Sequence, residues 1–308
     1  MNNTLGIDIG GTTIKSAIVS KGKIVSIVYI QRTGAKKGTK AVLNDIFLSI
    51  NAFEDYFSDG RIRSIGIGSP GPLDWKTGKI IASVNIPLNG VNLVSFVKNH
   101  VRNRFKRNVK VLLDNDARCF VFAEALHGAG KNHSCVAGYT LGTGVGGGII
   151  HNKKICHGMG AAGELGHVKI NAINGRRCHC GRIGCLEAYA SSYGIVQTAK
   201  EHGLKVKDPE ELYEIAKGLK KSGGNKKNKA KKVFEETGAY MGMAISNLIA
   251  VEHPEIIIIG GNISNAWGFM GRSIINSARK YSITGKMPKI TRASLKYGGI
   301  IGAAGLAD

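Results

Sequence analysis

Twice in this chain a run of β-branched and apolar residues stops at a glycine–threonine turn and restarts as a second such run, first in LGIDIGGTTIKSAIV and again in CVAGYTLGTGVGGGII. That punctuation predicts strands joined by tight turns. Each set is followed by helical patterning, as at Val42, Ile46, Ile50 and Phe53 within 39–57. A strand running into a Gly/Pro turn (RSIGIGSPGPLD), an amphipathic segment (VNLVSFVKNHVRNRF) and a strand-to-helix junction (VKVLLDNDARCFVFAEALHG) complete the first half. Helices are expected in the second half at about 187–202, 208–220 and 229–252, before the buried strand EIIIIGGNIS. The repeated layout predicts two similar α/β domains facing a cleft. A length of 308 residues is enough for two domains of roughly 150. The expected division is a smaller domain, 1–115, and a larger one, 116–308, with the C-terminal helix able to return to the smaller.

The composition, 43% hydrophobic and 21% charged, excludes a disordered or collagen-like chain despite 43 glycines. A formal charge of +22 attracts polyanions without choosing among nucleic acid, membrane surface and nucleotide phosphates. Nothing approaches the ~18 apolar residues of a membrane span, and MNNTLGIDIGG lacks the layout of a signal peptide. A cytoplasmic protein is therefore expected. The lysine-rich stretch KGLKKSGGNKKNKAKK (217–232) has no interleaved aromatic, so it reads as a solvated loop between helices and not as a nucleic-acid patch.

Four glycine-bearing turns end or join strands: DIGGT (8–12), GSPGP (68–72), LGTGVGGG (141–148) and GGN (260–262). Glycine lets backbone N–H groups approach an anion, so together such turns imply a nucleotide. The candidates are Asp8, Gly10, Gly11, Thr12 and Lys15 in the first, Gly142, Thr143 and Gly144 in the third, and Gly260, Gly261 and Asn262 in the last. GTGVGG also fits G-x-G-x-x-G, but it continues as strand where a dinucleotide fold needs a helix, and no Walker-type loop exists. Asp8, at the end of an apolar strand, is placed to hold Mg²⁺ through water. Lys15 reads equally well as a phosphate partner or a surface lysine. At the 114–116 junction one acid is expected to cap the helix. A carboxylate there, at Asp116, is also well placed to take a proton from a hydroxyl nucleophile.

GELGH (163–167) and CHCGRIGC (178–185) bring together His167, Cys178, Cys180 and Cys185, three thiolates and an imidazole, a donor set for a closed, structural tetrahedral Zn²⁺ site. His179, between two ligands on an extended turn, is expected to point away. Pinning this loop would make Glu164 and Glu187 rigid enough to bind a polyhydroxylated substrate.

Taken together, DIGGTTIK, GIGSPGPLD, VNIPLNGVNL, DNDARCFVFAE, TLGTGVGGGII, GELGH, CHCGRIGCLEAYAS and HPEIIIIGGNIS span nearly the whole chain. As a set they resemble the ROK family (repressors, open reading frames and sugar kinases) of the actin-like ATPase fold. The resemblance implies two actin-like (ribonuclease H-like) α/β domains flanking a cleft, with a structural zinc loop. It implies ATP, with phosphates on the DIGGT and LGTGVGGG turns and the nucleoside near GGN. It also implies a hexose held by Asn85, Asn115, Asp116, Glu164, His167 and Glu187, with Asp116 as general base and His167 binding both zinc and sugar. The implied protein is a glucokinase-type hexokinase acting on the glucose 6-hydroxyl, in a homodimer or homotetramer. Fructokinase and N-acetylhexosamine kinase are the alternatives within the family. Family repressors carry a helix-turn-helix before the first phosphate turn; here that turn begins at residue 8, so a regulator is disfavoured and no specific nucleic-acid partner is expected.

Overall fold

The computed structural model describes residues 3–83, 85–219 and 224–307. Val84 of VNIPLNGVNL and residues 220–223 of the lysine-rich stretch lie outside them. The chain divides into two compact units, one of 1–132, 148–162 and 294–308, the other of 133–147 and 163–293.

In the first unit the strand Asn3–Ile9 runs antiparallel to Thr13–Ser20 and parallel to Ile62–Ser69, which is parallel in turn to Lys110–Asn115. The period-two pattern of the first strand decides what each face does. Leu5, Ile7 and Ile9 are fully buried in a core with Ile46 and Ile50 of the helix Thr39–Asn51. Each such side chain contributes about 1.5–3 kcal/mol on burial. The opposite face carries Gly6 and Asp8, and beyond it Gly66 on the neighbouring strand. A Cβ on Gly6 would lie 2.2 Å from the Ile300 carbonyl oxygen, and one on Gly66 only 1.7 Å from that of Ala303. Missing side chains on this face therefore seat the C-terminal helix Gly298–Gly305 directly on the sheet. The same helix packs against Asp116–His127, where a Cβ on Gly302 would meet the Cys119 carbonyl.

These contacts correct the expected division at 115/116. The helix Asp116–His127 belongs with the strands before it, and the C-terminal helix returns to the same unit. Fully buried Glu124 fastens that return, accepting from the Ser294 and Leu295 amides, each at 2.8 Å.

In the second unit the all-buried strand Ile256–Gly260 lies parallel to Cys135–Leu141 and to Lys289–Arg292. The helix expected from about 229 begins earlier: Gly224–Val251 is one 28-residue helix, so 224–232 of the lysine-rich stretch is helical and not loop. Lysine is a good helix former, and Ala230, Val233 and Phe234 bury the inner face. The segment expected as one helix over 39–57 is two, Thr39–Asn51 and Glu54–Ser58. Among the described residues no helix is long and apolar enough to cross a membrane.

Candidate active site

In the first unit the DIGGT turn closes by a 2.9 Å bond from the Gly10 amide to the Thr13 carbonyl. Thr33 braces it from outside, its hydroxyl donating to the Gly10 carbonyl at 2.8 Å and its amide to that of Thr12 at 2.9 Å. No local pattern in the sequence marks Thr33 for this. Asn85 stands beside the turn, since a Cβ on Gly11 would lie 3.3 Å from that of Asn85. Asp8 pairs across the hairpin with Lys15 and faces the start of the C-terminal helix at Gly299. Burial raises the Asp8 carboxyl above the usual carboxylate range, and the Lys15 charge partly offsets the rise.

A raised pKa means that the folded state holds the proton more tightly than the unfolded chain. Stability is therefore lost as pH rises from the unfolded carboxylate range through the folded pKa, and the cost persists above it. Asp8→Asn should accordingly raise the melting temperature of the ligand-free protein at pH 7, with the advantage fading near pH ~4. Melting curves at the two pH values check this; an unchanged or lower melting temperature at pH 7 contradicts it.

At the end of Lys110–Asn115 the three-residue cluster separates into three roles. The helix cap is neither acid but Asn115, whose Oδ1 accepts from the Ala117 amide at 3.0 Å and the Arg118 amide at 3.1 Å. Its side-chain amide is left to donate. Asp114 is 2% exposed and is held by Arg118 Nε at 2.9 Å, His157 Nε2 at 2.6 Å and the Asn115 amide at 2.7 Å. Trp75 stacks on His157 with ring centroids 4.0 Å apart. Asp116 opens the helix, partly exposed, close to the end of the strand Ile62–Ser69: a Cβ on Gly68 would lie 3.4 Å from the Asp116 Cα. Of the two acids, Asp114 is spent on the scaffold and Asp116 stands at its rim.

In the second unit the LGTG and GGN turns meet in one cavity of about 390 Å³. Gly142, Thr143 and Asn262 line it with Asp208, Tyr213 and Phe234, the last three belonging to no motif of the sequence. Gly260 and Gly261 shape the turn without lining the cavity. Gly261 sits at φ +82°, and a Cβ there would lie 2.2 Å from the Leu141 carbonyl, so only glycine fits.

His167, Cys178, Cys180 and Cys185 also converge in this unit, their donor atoms all within 4.8 Å of one another. The Cys180 and Cys185 sulfurs are 3.7 Å apart, and His167 Nδ1 is 3.9 Å from the Cys178 sulfur. A tetrahedron with metal–sulfur bonds of ~2.3 Å has edges of about 3.8 Å, so the residues fit a zinc-sized ion. The loop is pre-shaped by bonds from the Cys178 amide to the Arg182 carbonyl (2.8 Å) and the Gly184 amide to that of Arg176 (2.9 Å). Lys169 Nζ lies 2.7 Å from the Cys185 sulfur, a cation beside the cysteine cluster. His179 stacks on Tyr193 with centroids 3.9 Å apart. Glu164 leads into the short turn Leu165–His167, and Glu187 opens a helix two residues after Cys185.

The ROK family model matches residues 4–308. This chain belongs to the ROK family. Among ROK relatives it is 32% identical to a glucokinase of Halalkalibacterium halodurans over 290 residues, 91% of this chain and 86% of that protein. It is also 32% identical to a glucokinase of Thermotoga maritima, covering 98% of this chain and 96% of the other. Among solved structures it resembles a ROK family glucokinase from Streptomyces griseus in complex with glucose and AMPPNP, at TM-score 0.80 and 29% identity, covering 99% of each chain. The mixed α/β architecture is that of ROK kinases, with the actin-like fold.

Proposed function

We propose that this ROK protein transfers the γ-phosphoryl group of ATP to a hexose, glucose at its 6-hydroxyl. The observation that carries the reading is the nucleoside-sized cavity of the second unit, walled by the LGTG and GGN turns; the first unit separately supplies an aspartate at a strand end whose neighbouring acid is already neutralised. A nucleotide binds the first; a hydroxyl nucleophile needs the second.

In this mechanism the nucleoside occupies the cavity beside Tyr213, Phe234 and Asn262, and the amides of Thr143, Gly144, Gly11 and Thr12 take the phosphates, with Lys15 adding charge. Asp8 would hold Mg²⁺, which would supply charge neutralisation to the phosphates. Asn85, Asn115, Glu164, His167 and Glu187 orient the hexose. Asp116 accepts the proton of the sugar hydroxyl as that oxygen bonds to the γ-phosphorus, the bond to the β–γ bridging oxygen breaks, and ADP leaves with the electron pair. His167, Cys178, Cys180 and Cys185 would hold a zinc ion, whose contribution with four protein donors would be structural, pinning the loop. We place the protein in the cytoplasm, where ATP is available and thiols stay reduced, as a homodimer or homotetramer.

A coupled assay of ADP release over glucose, fructose, mannose, N-acetylglucosamine and N-acetylmannosamine tests the proposal. Glucose should give the highest kcat/KM. Release that is insensitive to every sugar would refute a sugar kinase, and a preference for an N-acetylated hexosamine would move the acceptor to that class.

A further inference from the structure

We propose that Glu187 is also a positioning residue for the nucleotide, one oxygen of its carboxylate holding the phosphate-binding turn at 142–145 in place. The inference rests on the reading of that turn as a nucleotide site. Val145 is the first residue of its strand, and its amide donates to Glu187 Oε2 at 3.0 Å. The other oxygen, Oε1, lies 3.3 Å from the Cys178 sulfur. Glu187 thus spans from a cysteine of the metal loop to the glycine-rich turn. A second bond, from the Ser192 amide to the Gly142 carbonyl at 2.9 Å, fixes the other end of the turn to the same helical corner. Inside the turn the Gly142 amide donates to the Gly144 carbonyl at 3.0 Å.

Gly144 reports how tightly the carboxylate is seated. A Cβ built there would meet Glu187 Oε2 at 2.6 Å, and among the described residues, its chain neighbours aside, no other comes within 4 Å. Glycine at 144 is therefore accounted for by the approach of this carboxylate. A charge-assisted bond to a partly buried amide is among the stronger ones. Breaking it frees the turn to move, and with it the Thr143 and Gly144 amides that are read as the phosphate donors. The nucleoside cavity has its own walls and should be largely unaffected.

The test is a double-mutant cycle read by calorimetry without sugar, with AMPPNP plus magnesium and, separately, with adenosine. Zinc content is measured on each protein. Glu187→Ala should weaken AMPPNP binding about tenfold or more while changing adenosine binding less than about twofold. Glu187→Gln, which keeps a carbonyl acceptor for the Val145 amide, should stay within about threefold of the parent. Gly144→Ala should weaken AMPPNP about as much as Glu187→Ala, yet have almost no further effect in the Glu187→Ala background, where its obstacle is gone. Additive effects of the two substitutions would overturn the proposal, as would adenosine and AMPPNP weakening in step. A parent protein that binds adenosine but gains nothing from the phosphates would instead remove the phosphate turn itself.

Discussion

Asp116→Asn should reduce kcat for hexose phosphorylation by roughly 10²–10⁴-fold while leaving the sugar dissociation constant within about threefold of the parent. The substitution keeps size and polarity and removes the ability to accept a proton. Asp116 is suited to this test because neighbouring residues carry the local scaffold. The cap of the helix is supplied by Asn115, and the ion pairs that fix the strand end belong to Asp114. The Asp116 Oδ1 accepts from the Ala117 amide at 2.8 Å, which the asparagine carbonyl can also do. Asp114→Asn is the informative contrast. It removes the charge that Arg118 and His157 share, leaves buried Arg118 without its counter-ion, and should lower the melting temperature, whereas Asp116→Asn should not. Near-parental turnover in Asp116→Asn would take Asp116 out of its role.

The second large effect concerns the metal loop. Cys185→Ser should cut zinc from about one ion per chain to a small fraction and lower the melting temperature by roughly 5–10 °C. It should also weaken sugar binding about tenfold or more. Cys185 is fully buried, packs with Cys178, Ala188 and Tyr189, and lies two residues before Glu187. Losing the metal therefore loosens the segment that presents Glu187 and, through the turn at Leu165–His167, Glu164 and His167. Elemental analysis, thermal melting and sugar titration on one preparation check all three. A zinc-free protein with parental stability and affinity contradicts a structural metal.

Legibility in the sequence followed the range of the interaction. Strands, turns and the metal donors were readable because each is encoded within a few residues: alternation in LGIDI, the Gly-Gly pair that ends EIIIIGG, three cysteines within eight positions. Contacts between distant segments were not. Thr33 bracing Gly10, His157 pairing with Asp114 and Glu187 holding Val145 join residues that no local pattern links. The unit boundary was missed for the same reason, although the C-terminal GGIIGAAG, small and uncharged, carried a signal: such a helix can lie flush on a sheet face lined by Gly6 and Gly66. Over 224–232 the density of charge suggests a loop, yet the spacing of Ala230, Val233 and Phe234 also describes one face of a helix.

The most direct measurement is ³¹P NMR of the purified protein with Mg-ATP and glucose. A sugar 6-phosphate resonance should grow in step with ADP, one for one, and be nearly absent with Asp116→Asn. ATP left intact beside glucose, or ADP appearing with inorganic phosphate and no sugar phosphate, would contradict the proposed transfer.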